Sequence, residues 1–576
     1  MSSNSELAGY LQETADLLSF KGANNFRIRA YRDAAHTILH MEHNLADMPG
    51  DDKISELPGI GKGMVSKIKE YLESGDFSEH LSLLEEIPEG ILQIMEIPGL
   101  GPKKVKLMYE NLGIESVSQL EENIKAHKLR DLDGFGEKTE NKILEGIARR
   151  RIYSSRILLS EAYGLADSLM GILGSIEGVE KAEVAGSLRR KKETAGDIDI
   201  LYISKKPAKE ICQDFLSRLP QAELISMGDK KTSFMWRQTT QVDLRNISID
   251  EWGAALQYFT GSKEHNVALR KLALSMDLKI NEYGVWKGTK QIAGKSEEDC
   301  YRSVGMKFIP PELRENMGEI DAALHGKLPA LVVPEDIIGD MHVHSDYSDG
   351  FSTIEENVRK AAELGYKWVA VCDHSKSLYI ANGLDESRLM YKIEVVRRLN
   401  KKNKYPRIFC GAEVDIKKDG SLDYSDDILK ELDMVIAAVH SGFTQAQDII
   451  TSRIIRAMEN RYVNIIAHPT GRLINEREPY AVDIHKIIQT AKRTGTALEI
   501  NAHPLRLDLQ YNFVKEAKDS GLRLAIGTDA HYADEMELMS YGVAVARRGW
   551  LEKNDLLNTM EEADLASFFK LKGNIK

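Results

Sequence analysis

Residues 185–204, AGSLRRKKETAGDIDILYIS, set a glycine-led turn, four consecutive cations and two aspartates two positions apart into one short stretch. In GDIDIL the period of two places Asp197 and Asp199 on one face of a strand, while Ile198 and Ile200 turn to a core. Carboxylates that close repel, and both stay ionised only with positive charge between them. A divalent metal supplies it. A third carboxylate, Asp243, lies on another alternating run, QVDLRNI, where Val242 and Leu244 face away from it. Acidic oxygens converging from two strands suit Mg²⁺, which prefers oxygen ligands and completes its shell with water and substrate phosphates. Two such ions, about 4 Å apart, can stabilise the attacking and leaving oxygens of an in-line phosphoryl displacement. Arg189 and Arg190, with Ser187 and the backbone of Gly186, are then placed to hold a triphosphate.

Length and composition bound the rest. At 576 residues the chain exceeds one hydrophobic core, so several domains are expected. Its four cysteines, Cys212, Cys300, Cys372 and Cys410, are scattered without CxxC pairing and fit a reducing compartment. No apolar stretch reaches the roughly 20 residues of a membrane span, and the polar start MSSNSELAGY has no signal-peptide character. A soluble, cytoplasmic, monomeric protein is expected. Residues 1–335 hold 44 Lys and Arg against 52 Asp and Glu, and the first hundred hold 8 against 17. Bulk positive charge therefore cannot be the means of nucleic-acid binding, which has to rest on local geometry.

Local geometry of that kind is present three times: LPGIGKGMVSKIKEYL from Leu57, IPGLGPKKVKLMYENL from Ile97 and LDGFGEKTENKILEGI from Leu132. Each reads as a helix end, a Gly-x-Gly turn and an amphipathic helix with a lysine near its start. The glycine pairs Gly59 and Gly61, Gly99 and Gly101, and Gly134 and Gly136 permit close approach of a backbone, and the free amides of the following helix offer a seat for a phosphate. Three helix-hairpin-helix copies favour a sequence-independent grip on a nucleic-acid backbone.

Together, GSLRRKKETAGDIDI, VDLR and YFTGSKEHNVALR resemble the family X DNA polymerases, over residues 1 to about 318. The resemblance implies that Asp197, Asp199 and Asp243 are a triad for two Mg²⁺ ions, and that Gly186, Ser187 and Arg190 hold the triphosphate of a dNTP. It puts Arg245 beside the third aspartate and Arg270 on the template side. In YFTG, Tyr258, Phe259 and Gly261 form the palm–thumb turn, with both rings against the incoming sugar and Asn266 toward its base or the minor groove. An aromatic wall there excludes a ribose hydroxyl by sterics. Lys263 departs from the pattern, standing where many relatives carry an acid. In eukaryotic members a Schiff-base lysine removes a 5′-deoxyribose phosphate; Lys67 takes that position here, although Gly63 replaces a neighbouring basic residue.

Beyond a proline-containing stretch, HGKLPALVVPED, apolar runs alternate with helical ones to the C-terminus, the signature of parallel βα units. GDMHVHSDYSDG supplies His342, His344 and Asp349. WVAVCDH ends in His374, RIFCGAE in Glu413, MVIAAVH in His440, VNIIAH in His468, and LRLAIGTDAH in Asp529 and His531. Of the eight histidines of residues 336–576, only His485 lies away from a strand end, which indicates one site at the carboxyl face of a β/α barrel. Nine N/O ligands without cysteine suit Zn²⁺, Mn²⁺ or Fe²⁺. The pattern resembles the PHP (polymerase and histidinol phosphatase) family, a distorted (β/α) barrel that holds up to three metals and hydrolyses phosphoesters. His503 and Arg506 are placed to contact substrate.

The expected organisation is multidomain α/β: a helical lyase-like domain (1–80), helical fingers (81–150), a nucleotidyltransferase palm (151–257), a thumb (258–318), a linker (319–335) and a PHP barrel (336–576). The resemblance implies gap-filling synthesis on primer-template DNA with Mg²⁺, and a Mn²⁺- or Zn²⁺-dependent 3′–5′ exonuclease with abasic-site cutting, suited to base excision repair. Two other readings use the same residues. One makes the N-terminal half a DNA-binding scaffold for a phosphoesterase, and the other directs nucleotidyl transfer to RNA ends.

Overall fold

A computed structural model describes residues 4–39, 60–74, 76–95, 97, 100–132, 134–153, 156–402 and 404–572. The chain divides into two compact units, Met1–Ser154 and Ser155–Lys576. Among the described residues no helix is long and apolar enough to cross a membrane. All four cysteines are free and buried.

The first unit is helical. Its helices Asn4–Lys21, Asn25–Leu39 and Lys62–Ser74 bury Leu11, Tyr31 and Ile68, and Pro102–Leu112 and Glu137–Tyr153 bury Val105 and Ile143 in the same core. The expected lyase-like and fingers segments thus share one apolar interior. Each Gly-x-Gly turn starts its helix in the same way. Gly61, Gly101 and Gly136 accept from the amides three and four residues on, and the apolar residue preceding each glycine (Ile60, Leu100, Phe135) is buried.

In the second unit a ribbon of β1 (Ile157–Leu158) and β3 (Thr194–Ala195) flanks a five-stranded sheet in the order β2-β4-β7-β6-β5: β2 (Val179–Val184), β4 (Asp197–Ser204), β5 (Ala222–Met227), β6 (Lys231–Trp236) and β7 (Thr240–Asn246). β4 and β7 run parallel while their other neighbours are antiparallel. The helices Trp252–Thr260 and Lys263–Ser275 follow, with a ribbon of β8 (Lys279–Asn281), β9 (Gly284–Lys287) and β10 (Lys290–Ala293).

The C-terminal half is a parallel sheet whose strands neighbour one another in chain order: β11 (Gly339–Val343), β12 (Trp368–Val371), β13 (Arg407–Asp415), β14 (Met434–Ala438), β15 (Ile465–Ile466), β16 (Ala497–Asn501) and β17 (Leu524–Gly527). Their residues are buried on both faces, as helix-covered parallel strands require. The sheet nearly closes: the Asp529 amide donates to the His342 carbonyl at 2.8 Å, and the His344 amide to the Ala530 carbonyl at 2.8 Å. The stretch expected as a linker, 319–335, contains the helix Glu319–Leu324 and then lies along the barrel, with the Val332 amide donating to Leu551 at 3.0 Å. One set of buried apolar side chains runs from Leu159 of the palm to Leu556 of the barrel.

Two candidate active sites in one unit

Register builds the palm site. β4 and β7 pair so that Asp199 stands opposite Asp243 and Asp197 opposite Gln241. Ile198, Ile200, Val242 and Leu244 fill the core beneath, so the three carboxylates share the other face. Gly186 has φ +61°, and a Cβ there would lie 2.8 Å from the Asp199 carboxylate. Only glycine lets the turn sit that close to the acid.

The charge at this face is partly compensated. Lys231 Nζ lies 2.6 Å from Asp243, and Arg245 bridges Asp199 and Asp243 at 3.4 Å to each. Burial, reinforced by the Asp197 charge, pushes the Asp199 carboxyl up to about 6. Burial also acts to raise Asp243, but hydrogen bonds from Lys231, Ser233 and Gln241 outweigh it and hold that carboxyl below its ordinary value. Asp197 is exposed and forms no ion pair among the described residues. A face with two acids paired to cations, a third unpaired and one strained toward protonation suits oxygen-loving divalent cations.

The surrounding residues fall as follows. Tyr258 and Phe259 meet edge to face with centroids 5.2 Å apart, and the Arg245 guanidinium lies 4.1 Å over the Phe259 ring. Asn266 is buried; its Oδ1 accepts from Gln257 at 2.8 Å and its Nδ2 donates to the Tyr258 carbonyl at 2.7 Å, so it braces the aromatic pair. Arg270 is exposed. Ser187 is half-buried in the four-residue helix Gly186–Arg189. Arg190, expected on the triphosphate, is only 8% exposed and directs its guanidinium to the Thr260 carbonyl and to Glu315. Arg189 likewise forms a two-pronged pair with Glu297 at 3.0 and 2.7 Å. Both arginines fasten the palm loop to the thumb. Gly261, at φ +66°, leaves room for Arg190 Nη1.

In the helical unit, a Cβ added at Gly61, Gly101, Gly134 or Gly136 would meet nothing within 4 Å, so these turns face open space. Gly59 and Gly99 lie outside the described residues. Lys67 is in an ion pair with Glu79 at 2.7 Å, and the same carboxylate accepts from Tyr31 at 2.6 Å and from Arg27. An ammonium so engaged is no nucleophile until that pair opens.

The barrel gathers its ligands at the carboxyl ends of its strands. Their atoms form three tight groups: His344, Asp349, His374 and His531; His342, His344 and Asp529; and His374, Glu413 and His440. His468 joins through Glu413, its Nε2 lying 2.9 Å from Oε1. All nine expected residues therefore meet at one rim. Among the described residues every such group lies in the barrel, and the palm aspartates form none. His468 and Asp529 hold positive φ, 27° and 57°, the kind of strain that collects at functional sites.

The donor set asks for cations. His342 Nε2 and His344 Nε2 face each other at 3.1 Å, His374 Nδ1 and Glu413 Oε2 lie 3.0 Å apart without hydrogen-bond alignment, and His344 Nδ1 is buried without a hydrogen-bond partner. Buried polar atoms are rarely left so. Burial and the neighbouring His531 and His374 push His344 down to about 4, leaving its imidazole neutral, as metal binding requires. Burial opposes ionisation of Glu413 and Asp529, but the surrounding imidazoles prevail and keep both carboxyls well below their ordinary range. For His531 burial again opposes, and Asp349 and Asp529 raise it to about 9.

Several members of the site escape a reading of strand ends. Glu499 is buried and accepts from His342 Nδ1 at 2.7 Å and from the His468 amide at 2.6 Å. Asp415 holds His440 Nδ1 at 2.9 Å, and Asn501 donates to Asp529 at 3.1 Å. Such carboxylates fix ring orientation behind metal ligands. Gly527 is needed for them: a Cβ would lie 2.4 Å from Glu499 and 2.5 Å from His342. Arg506 lies 3.5 Å from Asp529, on the expected side of the cluster, and His503 Nδ1 accepts from the Leu505 amide.

Comparison with known proteins covers both sites. The family described as DNA polymerase beta thumb matches residues 255–315, and the PHP domain matches 340–503. A helix-hairpin-helix domain matches 2–77, and a SAM-like helix-hairpin-helix tandem 91–149. The chain is 38% identical over 565 residues to the DNA polymerase/3'-5' exonuclease PolX of Bacillus subtilis (strain 168), which covers 97% of this chain and 98% of that protein. Over 234 residues it is 32% identical to a probable phosphatase of Thermoanaerobacter sp. (strain X514), 39% of this chain and 91% of the relative. A probable phosphatase of Shewanella sediminis (strain HAW-EB3) is 29% identical over 245 residues, 41% of this chain and 94% of the relative.

Proposed function

The chain belongs to the bacterial family X DNA polymerases that carry a C-terminal PHP domain, and we propose that it fills short gaps in DNA and trims 3′ ends from two sites in one folded unit. It is a DNA polymerase with a 3′–5′ exonuclease. The observation that carries the two-site reading is the pairing of Asp199 with Asp243 across β4 and β7, beside a barrel whose nine ligands converge.

In the palm, Asp197, Asp199 and Asp243 would hold Mg²⁺, which when bound would supply positive charge for phosphoryl displacement on a dNTP. Gly186 and Ser187 cradle the triphosphate with the amides of the turn. Tyr258 and Phe259 wall off the 2′ side of the sugar, and Arg245 and Asn266 hold that wall in place. Arg190 acts from behind, tying the loop to Thr260 and Glu315. Arg270 and the turns at Gly59, Gly61, Gly99, Gly101, Gly134 and Gly136 contact the DNA backbone.

At the barrel rim, His342, His344, Asp349, His374, Glu413, His440, His468, Asp529 and His531 would hold up to three Mn²⁺ or Zn²⁺ ions, which when bound would supply Lewis acidity for phosphodiester hydrolysis. Glu499 and Asp415 orient the imidazoles, and Arg506 faces the substrate side. Cutting at abasic sites is part of the proposal, as are a monomeric state, a cytoplasmic location and a place in base excision repair. Lys67 serves as a lyase nucleophile only if a DNA end displaces Glu79 from it.

A one-nucleotide-gapped duplex, with and without a 5′-phosphate, tests the reading in Mg²⁺ and in Mn²⁺. Asp243→Ala should lose primer extension and keep end trimming, and His342→Ala/His344→Ala should do the reverse. Equal loss of both activities in both variants would overturn the two-site assignment.

A further inference from the structure

A cavity of about 510 Å³ opens beside the barrel cluster, with Asp415 and His440 among its lining residues. That volume falls in the range of small-molecule and nucleotide sites. One wall is Ser377 and Leu378, in the loop after the ligand His374. The chain then makes a short 3-10 turn, Tyr379–Ala381, which leaves Tyr379 89% and Ile380 74% exposed. An aromatic ring exposed next to a cavity wall offers a flat face on which a base can stack.

The opposite wall is the tight turn Ile416–Leu422, closed by an antiparallel bridge between its ends. It presents Lys417 and Lys418, both exposed and neither in an ion pair among the described residues. The one acid on the turn, Asp419, is occupied by the amide and hydroxyl of Ser421 at 3.0 and 2.7 Å. The turn is stiff: Arg453 donates to the Ile416 carbonyl at 3.0 Å and to the Ser441 carbonyl at 2.7 Å, and Arg456 to the Asp419 carbonyl at 2.9 Å. Two exposed lysines that form no ion pair among the described residues thus stand on a fixed platform in a cavity that Ser377, Leu378 and the metal-ligand histidine His440 also line, with an exposed aromatic as the residue after Leu378.

Cations on one wall and a stacking surface on the other are the elements of a site for single-stranded nucleic acid. We propose that this cleft seats the DNA strand that the barrel cuts, with Lys417 and Lys418 on its phosphates and Tyr379 stacked on one of its bases. The inference rests on the phosphoesterase reading of the barrel and adds the residues that bind the substrate strand there.

Two measurements on the full chain test it. The first follows Mn²⁺-dependent cleavage of a short single-stranded oligonucleotide beside hydrolysis of bis(p-nitrophenyl) phosphate, which has no strand to grip. Lys417→Ala/Lys418→Ala should raise KM for the oligonucleotide more than it lowers kcat and reduce the log–log salt slope by about 1.4, two phosphates at about 0.7 each. Tyr379→Ala should raise that KM by roughly 5- to 150-fold, and Tyr379→Phe should restore it. In both variants selectivity for the oligonucleotide over the small ester should fall. The second measurement is photo-crosslinking, in chelator, of an oligonucleotide bearing 5-iododeoxyuridine near its 3′ end, with peptide mapping; the adduct should fall on Tyr379. Unchanged selectivity in both variants, or adducts elsewhere only, would overturn the cleft. If the unaltered protein cleaves neither substrate, it is the phosphoesterase reading that fails, and the crosslink still decides the cleft on its own.

Discussion

Glu499 accepts from the ring of one ligand, the amide of another and the side chain of Asn501, without itself appearing in any ligand group. Glu499→Gln keeps the shape but loses the charge that orients His342, so Mn²⁺ affinity should drop about 10- to 100-fold by equilibrium titration, with the fold retained. In the palm, Asp243→Ala should lower the rate of primer extension more than about 100-fold, read under single-turnover conditions. A third prediction concerns His80, buried between Asp76 and Glu13 in the helical unit. Burial acts to lower its pKa, but the Glu13 and Asp76 carboxylates that face its two ring nitrogens outweigh that and raise it. The folded state therefore holds the proton more tightly than the unfolded chain. Its stabilisation is complete below about pH 6.5 and is lost as pH rises through the folded pKa. Urea midpoints for the helical unit should fall between pH 6 and 8.5, and His80→Gln should flatten that slope. Most of the nine ligands were legible in the sequence because they close apolar runs, where a polar side chain has no packing reason to stand; His342 and Asp349 came with the GDMHVHSDYSDG motif. Glu499 was not, because it sits inside ALEIN, where alternation looks like any strand, and Asn501, which closes that strand, is an amide that no metal-ligand pattern singles out. Arg190 shows a different gap: a motif position says which residue is present, while the partners it has in this structure, Thr260 and Glu315, come from the thumb.

At the scale of elements, the Gly-x-Gly turns were readable because their chemistry is local: a glycine that nothing packs against, an apolar residue tucked under it, and a helix start. Gly101 has extended backbone, φ −79° and ψ 168°, and occupies the N-cap of Pro102–Leu112 with open space beyond. Nothing inside the protein requires glycine there. Gly101→Asp should therefore hold or slightly raise Tm, since aspartate is a better N-cap. The same change sets a negative charge where a phosphate would sit, and affinity for gapped duplex should fall several-fold by anisotropy at low salt. Loss of Tm together with affinity would place the glycine in the core instead. The period of two was equally decisive for β4 and β7, though it gave only which face each aspartate takes. That Asp199 lies level with Asp243 depends on pairing between strands some forty residues apart, which no local pattern contains.

The second unit is one body because its parts are sewn together by buried charge as well as by a shared apolar core. Arg472, on the turn after His468, pairs with Glu193 of the palm loop at 2.9 Å. Arg548 is fully buried; it donates to the Arg190 carbonyl at 2.7 Å and pairs with Glu315 at 3.0 Å, while Arg547 pairs with Glu312 at 2.8 Å. Arg548→Ala should destabilise this unit by about 1–3 kcal/mol, since Glu315 keeps Arg190 while the buried Arg190 carbonyl loses its donor. Calorimetry should then show a lower transition for this unit, still as one step, with polymerase and nuclease activities lost in parallel on heating. Two separated transitions would contradict a common core. Sequence reading drew palm, thumb and barrel as separate domains joined by a linker, because alternation of helix and strand reports what a segment becomes and is silent on which distant face covers it.

The paired arginines at 547 and 548 also bear on how such a chain can be shortened. A stop codon after residue 335 would leave Glu312 with only Lys191, at 3.9 Å, and Glu315 with only Arg190, beneath an oily surface newly bared to solvent. Such a fragment should precipitate rather than persist as a free-standing synthetase. A lineage that ceased to need the cutting chemistry would therefore sooner blunt the rim histidines one by one than delete the barrel beneath them.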